Sequence, residues 1–174
     1  IIMILFFVII VDYPNITEQS DKIEMFINNE AGMSATYLFG YVIFGLLLAV
    51  FSLAIYDRLK VSYPNAAKLS AIYGIMWGCL LVGRGMLYTK GIASAIDMYA
   101  KDPAQAITVW TSIEATALGL SFSEGEILGG IWTLLISITA LKAIAFHKGI
   151  CYVGIVAGVA GILSVIPVVN VIGG

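Results

Sequence analysis

The sequence predicts an all-α fold, a polytopic bundle of transmembrane helices. Three observations lead there: 60% of the 174 residues are hydrophobic and only 11% are charged, the mean hydropathy is +0.99, and the apolar residues gather in long runs. A water-soluble domain carries about 25% charged residues, and a fold of this length has too little interior to hide so much apolar surface. The runs follow one another without the polar linkers that separate domains, so residues 1–174 read as a single transmembrane helical domain.

Residues 1–11 are apolar but fall short of the roughly 20 that a spanning helix needs. They read as the end of a first span that starts upstream, since neither the basic n-region nor the small-residue cleavage site of a signal peptide is visible. Residues 12–34 carry Asp12, Glu18, Asp21, Glu24 and Glu30 against Lys22, and read as an aqueous loop holding a short helix over 20–29. The second span is 35–56, closed by Asp57, Arg58 and Lys60, with Ser62-Tyr63-Pro64-Asn65 as a turn. The third is 68–88. Lys90, Asp97, Lys101 and Asp102 then mark a wet connection, and 106–122, apolar apart from its threonines and Glu114, reads as an interfacial helix. The fourth span is 127–146, His147-Lys148-Gly149 is a turn, and the fifth runs over 150–169, giving about five spans.

Basic residues in short loops stay on the cytoplasmic side. With the amino-terminal side inside, Arg58, Lys60, Lys68, Lys142 and Lys148 gather at the cytoplasmic face of a multi-pass cell-membrane protein. The acidic segments 12–34 and 89–125 are then outside. Were 106–122 a full span, Lys142 and Lys148 would be carried outward and this bias lost.

Small residues four apart let two helix backbones approach closely in lipid. Gly74 and Gly78 mark one such face of the third span, Gly125 and Gly129 open the fourth, and Gly154, Gly158 and Gly161 mark the fifth. Arg84 is the most informative residue, because a guanidinium in an apolar span costs several kcal/mol unless it is paired or reaches water. It lies sixteen residues beyond Lys68, about 24 Å along a helix, near the outer end. Tyr73, Trp77, Arg84 and Tyr88 recur at helical spacing, Glu126 begins a matching face of the fourth span, and Glu114 shares a face with Trp110, Ala117 and Ser121. Tyr73, Trp77, Arg84, Glu114 and Glu126 form the candidate site, an outer-leaflet pocket for a polar small molecule or an anionic headgroup. The competing reading is an ion pair from Arg84 to Glu126 or Glu114 that locks helices together.

Several chemistries are excluded by the residues at hand. The nine basic residues are scattered and the net charge is −2, so no nucleic-acid footprint exists. His147 is the only histidine, and Cys79 and Cys151 lack CxxC spacing, which leaves no metal site and no cofactor expected. No phosphate-cradling GxxxxGK, nucleophile elbow or HExxH helix occurs. Glu124 and Glu126, two apart, diverge on a helix instead of forming a carboxylate pair.

The stretch Gly125-Glu126-Ile127-Leu128-Gly129-Gly130-Ile131-Trp132, followed by Leu135, Ser137 and the series Gly154, Gly158, Gly161 and Pro167, resembles the carboxy-terminal half of a bacterial membrane family of unknown function, family 4386. The resemblance covers about the last third of the chain and implies a small multi-helix membrane protein with no assigned activity. It also implies a further helix after Gly174.

Three functions are weighed on these grounds. The first is a non-enzymatic accessory or structural subunit of a membrane complex, whose partners are the lipid bilayer and other membrane subunits or copies of itself. The alternative is a small-molecule or lipid binding or transport protein with its pocket around Arg84. A membrane enzyme comes third, since a carboxylate beside an arginine stays ionised and suits charge stabilisation better than proton transfer.

Overall fold

The computed structural model describes residues 15–120 and 127–164. Among them are five helices and no strand: α1 (Gln19–Leu59), α2 (Pro64–Tyr99), α3 (Pro103–Gly119), α4 (Ile127–Ala143) and α5 (Lys148–Leu163). Two of these, α1 and α2, are long and apolar enough to cross a membrane. Helices α4 and α5 are apolar but shorter, with 17 and 16 residues. The chain divides into two compact units, one of residues 1–43 with 82–117 and the other of 44–81 with 118–174.

The segment read as an aqueous loop is helical from Gln19 onward, and α1 runs on, through a kink at Asn29, to Leu59. The reason is a period masked by charge. Ile23, Phe26, Met33 and Tyr37 return at steps of three, seven and four residues and are all buried, while Asp21, Glu24 and Glu30 are exposed, which is the pattern of an amphipathic helix. Asn29 breaks the regular geometry with φ −133° and ψ 24°, and its side-chain amide donates to the Met25 carbonyl at 3.0 Å. Leu38–Ile43 forms a π-helical segment. The wet connection after residue 88 is corrected in the same way: α2 extends to Tyr99 because Tyr88, Ile92 and Ala95 hold one buried face, and only 100–102 link it to α3.

The helix starts follow local chemistry. Pro64 and Pro103 open α2 and α3, where a missing N–H costs nothing and φ is already helical. Asp102 caps α3 by accepting from the Gln105 amide at 3.1 Å, and His147 Nδ1 caps α5 by accepting from Gly149 N at 3.2 Å. In the turn after α1, Lys60 donates to Asp57 at 2.6 Å, and this hydrogen bond together with the Asp57 charge holds the ammonium above its usual pKa. The pair therefore persists through neutral pH and loosens only above the ordinary lysine range. Both groups are exposed, so it adds little stability.

Helix α4, read from the sequence as a span over 127–146, ends at Ala143. Ala145 N donates to Ala140 O at 3.0 Å and Ile144 N to Leu141 O at 3.3 Å, the paired bonds of a Schellman termination. That motif requires a left-handed residue, and Ile144 supplies it at φ 53°, where a β-branched side chain is strained. Ile144 is exposed, so Ile144→Gly removes the strain at small packing cost. The expected gain is about 1 kcal/mol, read as a raised midpoint in chemical denaturation.

The first unit has a core of large apolar side chains. Ile23, Phe26 and Met33 of α1, Ile92 of α2, and Trp110 of α3 are each fully buried. Its exposed surface carries charges and hydroxyls, and along α3 the hydroxyls of Thr108, Thr111, Ser112 and Thr116 donate to carbonyls four residues back.

The second unit buries Leu48, Ile55, Leu59 and Leu81 and adds glycines and hydroxyls to its interior: Ser52 and Ser70 are 1% exposed, each donating to the carbonyl four residues earlier. A Cβ on Gly78 would lie 2.7 Å from the Gly45 carbonyl oxygen, so α1 and α2 cross backbone to backbone there. Gly130 and Gly158 do the same for α4 and α5, with hypothetical Cβ atoms 2.7 Å from Ile162 N and Leu134 N. Gly154 faces the Ser137 hydroxyl, Gly74 faces Ser52 and the Trp132 indole nitrogen, and Gly129 lies against the Trp77 ring. The Gly161 backbone approaches Gly130, and Gly125 lies outside the described residues.

Candidate functional site

Arg84 sits in the first unit on the aromatic end of that core. Its guanidinium carbon is 5.3 Å from the Tyr41 ring centre and 5.6 Å from that of Tyr88. The Tyr88 contact follows from the four-residue step along α2. Tyr41 comes from the π-helical segment of α1, an irregularity often found at functional positions. Close passage of the backbones allows the approach: a Cβ on Gly85 would be 2.7 Å from Tyr41 Cβ and 3.2 Å from the Tyr37 carbonyl oxygen.

Behind Arg84 the aromatic rings continue inward. Tyr37 stacks on Tyr88 at 4.6 Å, Tyr88 meets Trp110 at 6.1 Å, and Trp110 meets Phe26 edge-on at 4.5 Å. Each such pair is worth about 0.5–1.5 kcal/mol beyond its buried area, and each cation–π contact about 0.5–2 kcal/mol depending on desolvation. Arg84 is thus held by ring faces at the head of a stack of rings that runs into the core.

Glu114 of α3 has a partner the sequence reading overlooked. Lys22 Nζ lies 3.0 Å from Glu114 Oε1, and Gln19 Nε2 donates to Oε2 at 3.2 Å. The pair is largely withdrawn from solvent, with 14% and 18% of the two side chains exposed. Lys22 falls in a segment whose charges read as a loop, and a contact across 92 residues leaves no local spacing to read. A buried ion pair is costly to break from one side, because the remaining charge is stranded, and cheap to replace whole. Glu114→Leu alone is therefore expected to cost about 3 kcal/mol, while Lys22→Met with Glu114→Leu costs less than that single change. A double-mutant cycle by denaturant titration reads the difference.

The remaining members of the candidate site fall elsewhere. Tyr73 and Trp77 belong to the second unit, where Trp77 packs on Trp132 at 5.7 Å and on Phe44 at 6.4 Å. Glu126 lies outside the described residues. Among the described residues no three His, Cys, Asp or Glu side chains cluster closely enough to hold a metal ion.

No protein-family model, curated protein or solved structure matches this chain.

Proposed function

We propose that the chain is a polytopic integral membrane protein that serves as a non-enzymatic subunit, packing its helices against lipid and against other membrane subunits. One observation carries the membrane reading. The second unit exposes many of its large apolar side chains, with Leu47, Val50, Val153 and Val156 at 61–70%, while its helix crossings are made by glycine and serine. Water would penalise that surface by about 25 cal/mol per Å², and exposed apolar area on this scale marks contact with lipid or partners. Helices that associate in hydrocarbon use small residues for close approach, as at Gly78 and Gly158.

Helix length supports the same arrangement. At 1.5 Å per residue, α1 and α2 measure about 61 and 54 Å, far more than the roughly 30 Å of hydrocarbon. The uncharged run of α1 between Glu30 and Asp57 is long enough to cross. Within the first unit α3 packs on α1 and α2 through Trp110, which agrees with the interfacial reading of 106–122. About five spans and a cytoplasmic amino-terminal side follow if α4 and α5 also cross.

The partner reading rests on exposed charge in the first unit. Glu18, Asp21, Glu24, Glu30, Asp97 and Asp102 are all exposed there, against exposed Lys90 and Lys101, which gives an acidic face suited to a basic partner surface. Extraction in mild detergent followed by size-exclusion chromatography with light scattering tests it. A stoichiometric partner or a defined homo-oligomer supports the subunit reading, and a lone monomer contradicts it.

The alternative, a ligand site around Arg84, is favoured by the π-helical segment that brings Tyr41 onto the guanidinium. Thermal stabilisation by an anionic headgroup analogue, lost in Arg84→Gln, distinguishes it from helix locking.

A further inference from the structure

The second unit contains a groove whose wall chemistry differs from everything around Arg84. Its floor is formed by Trp132, Ile136 and Ser137 of α4 and Cys151 of α5, all buried, and its rim by Phe51 of α1 and Ile150 of α5, both exposed. The cavity measures about 220 Å³. That is below the roughly 300–1,000 Å³ usual for compact small-molecule pockets, and its lining is almost wholly apolar. An apolar groove of this size with an exposed apolar rim suits a segment of one hydrocarbon chain.

The charges at one end decide which molecule brings that chain. Phe51, Ile55 and Arg58 lie on one face of α1 at steps of four and three, and Lys148 and Cys151 share a face of α5 three apart. Arg58 and Lys148 are exposed, and neither makes an ion pair among the described residues, whereas Lys60 is neutralised by Asp57. Two cations therefore flank the groove where α1 ends and α5 begins. We infer that this groove binds an anionic phospholipid, one acyl chain lying between α1, α4 and α5 and the headgroup phosphate held by Arg58 and Lys148. The inference rests on the membrane reading above, and the basic end is the one assigned to the cytoplasmic leaflet, where anionic lipids concentrate.

Trp132 in the groove floor provides the probe. The full chain carrying Trp77→Phe and Trp110→Phe, so that Trp132 is its sole tryptophan, is reconstituted in phosphatidylcholine vesicles. These contain a minor fraction of either phosphatidylglycerol or phosphatidylcholine brominated on the acyl chain. Brominated phosphatidylglycerol is expected to quench Trp132 more efficiently, with an enrichment on the order of tenfold from two nearby cations. The preference should vanish in Arg58→Gln/Lys148→Gln, whose sites are exposed. Equal quenching by both lipids, or a preference that survives those substitutions, overturns the proposal while leaving the membrane reading intact. Quenching by neither overturns both. Native mass spectrometry of the chain with its tryptophans unchanged, released from mixed micelles, gives an independent readout: a retained phosphatidylglycerol, lost in the double substitution, supports the site, and equal retention of phosphatidylcholine contradicts it.

Discussion

Gly158→Leu is expected to separate α4 from α5 and to cost about 3 kcal/mol or more, at or beyond the upper end of overpacking penalties. The new Cβ would lie 2.7 Å from Leu134 N and 2.9 Å from Gly130 O. Both are backbone atoms of a helix and cannot turn aside as a side chain can, so the two helix axes must move apart. Gly129→Ala provides the graded comparison. Its Cβ meets the Trp77 ring at 2.6 Å, which can shift, and the cost should be smaller. Gly119→Ala meets nothing within 4 Å and should gain about 0.5–1 kcal/mol from reduced chain entropy. Thermal unfolding in one detergent should rank the three variants in that order. Equal behaviour of Gly158→Leu and Gly119→Ala would show that the α4 and α5 backbones do not touch.

Trp110→Ala should be the most damaging change in the first unit, at about 3–5 kcal/mol. The side chain is 0% exposed and joins Phe26 of α1 to Tyr88 of α2, so truncation opens a cavity where α3 meets both long helices. Trp110→Phe should be far milder. Among the described residues the indole N–H finds no acceptor, so phenylalanine forfeits no hydrogen bond and retains the edge-on contact. Amide hydrogen exchange shows where the loss falls: Trp110→Ala should strip protection from residues 103–119 while α4 and α5 keep theirs, because the units have separate cores. Uniform loss across all five helices would mean that the chain unfolds as one body.

The parts of this fold that were legible in the sequence are those where hydrophobicity alone decides. Residues 127–143 and the start of α5 stand out because nearly every side chain is apolar or small. The amino-terminal half of α1 and the distal part of α2 were hidden by their charges. Asp21, Glu24 and Glu30 drew attention to a loop, whereas Ile23, Phe26, Met33 and Tyr37 carried the helical period. Arg84 and its neighbour Tyr88 were legible as a four-residue step on one helix. Tyr41 was not, because it reaches Arg84 from another helix through a π-helical segment that no local pattern announced. The Lys22 to Glu114 pair was unreadable for the same reason, as sequence spacing fixes neighbours within a helix and says nothing about register between helices. Gly45 was not legible as a packing residue, because only the Gly74 and Gly78 side of its crossing shows a four-residue repeat.

The membrane reading is tested most directly at the exposed apolar faces themselves. With Cys79 and Cys151 replaced by serine and alanine, single cysteines at Val50, Val153 and Lys60 are spin-labelled and the full chain is reconstituted in lipid vesicles. Collision with dissolved oxygen is then compared with collision with a water-soluble nickel chelate. The account predicts that labels at positions 50 and 153 meet oxygen readily and the chelate hardly at all, while the label at position 60 shows the reverse. Chelate access at 50 and 153 equal to that at 60 would place those faces in water and contradict it.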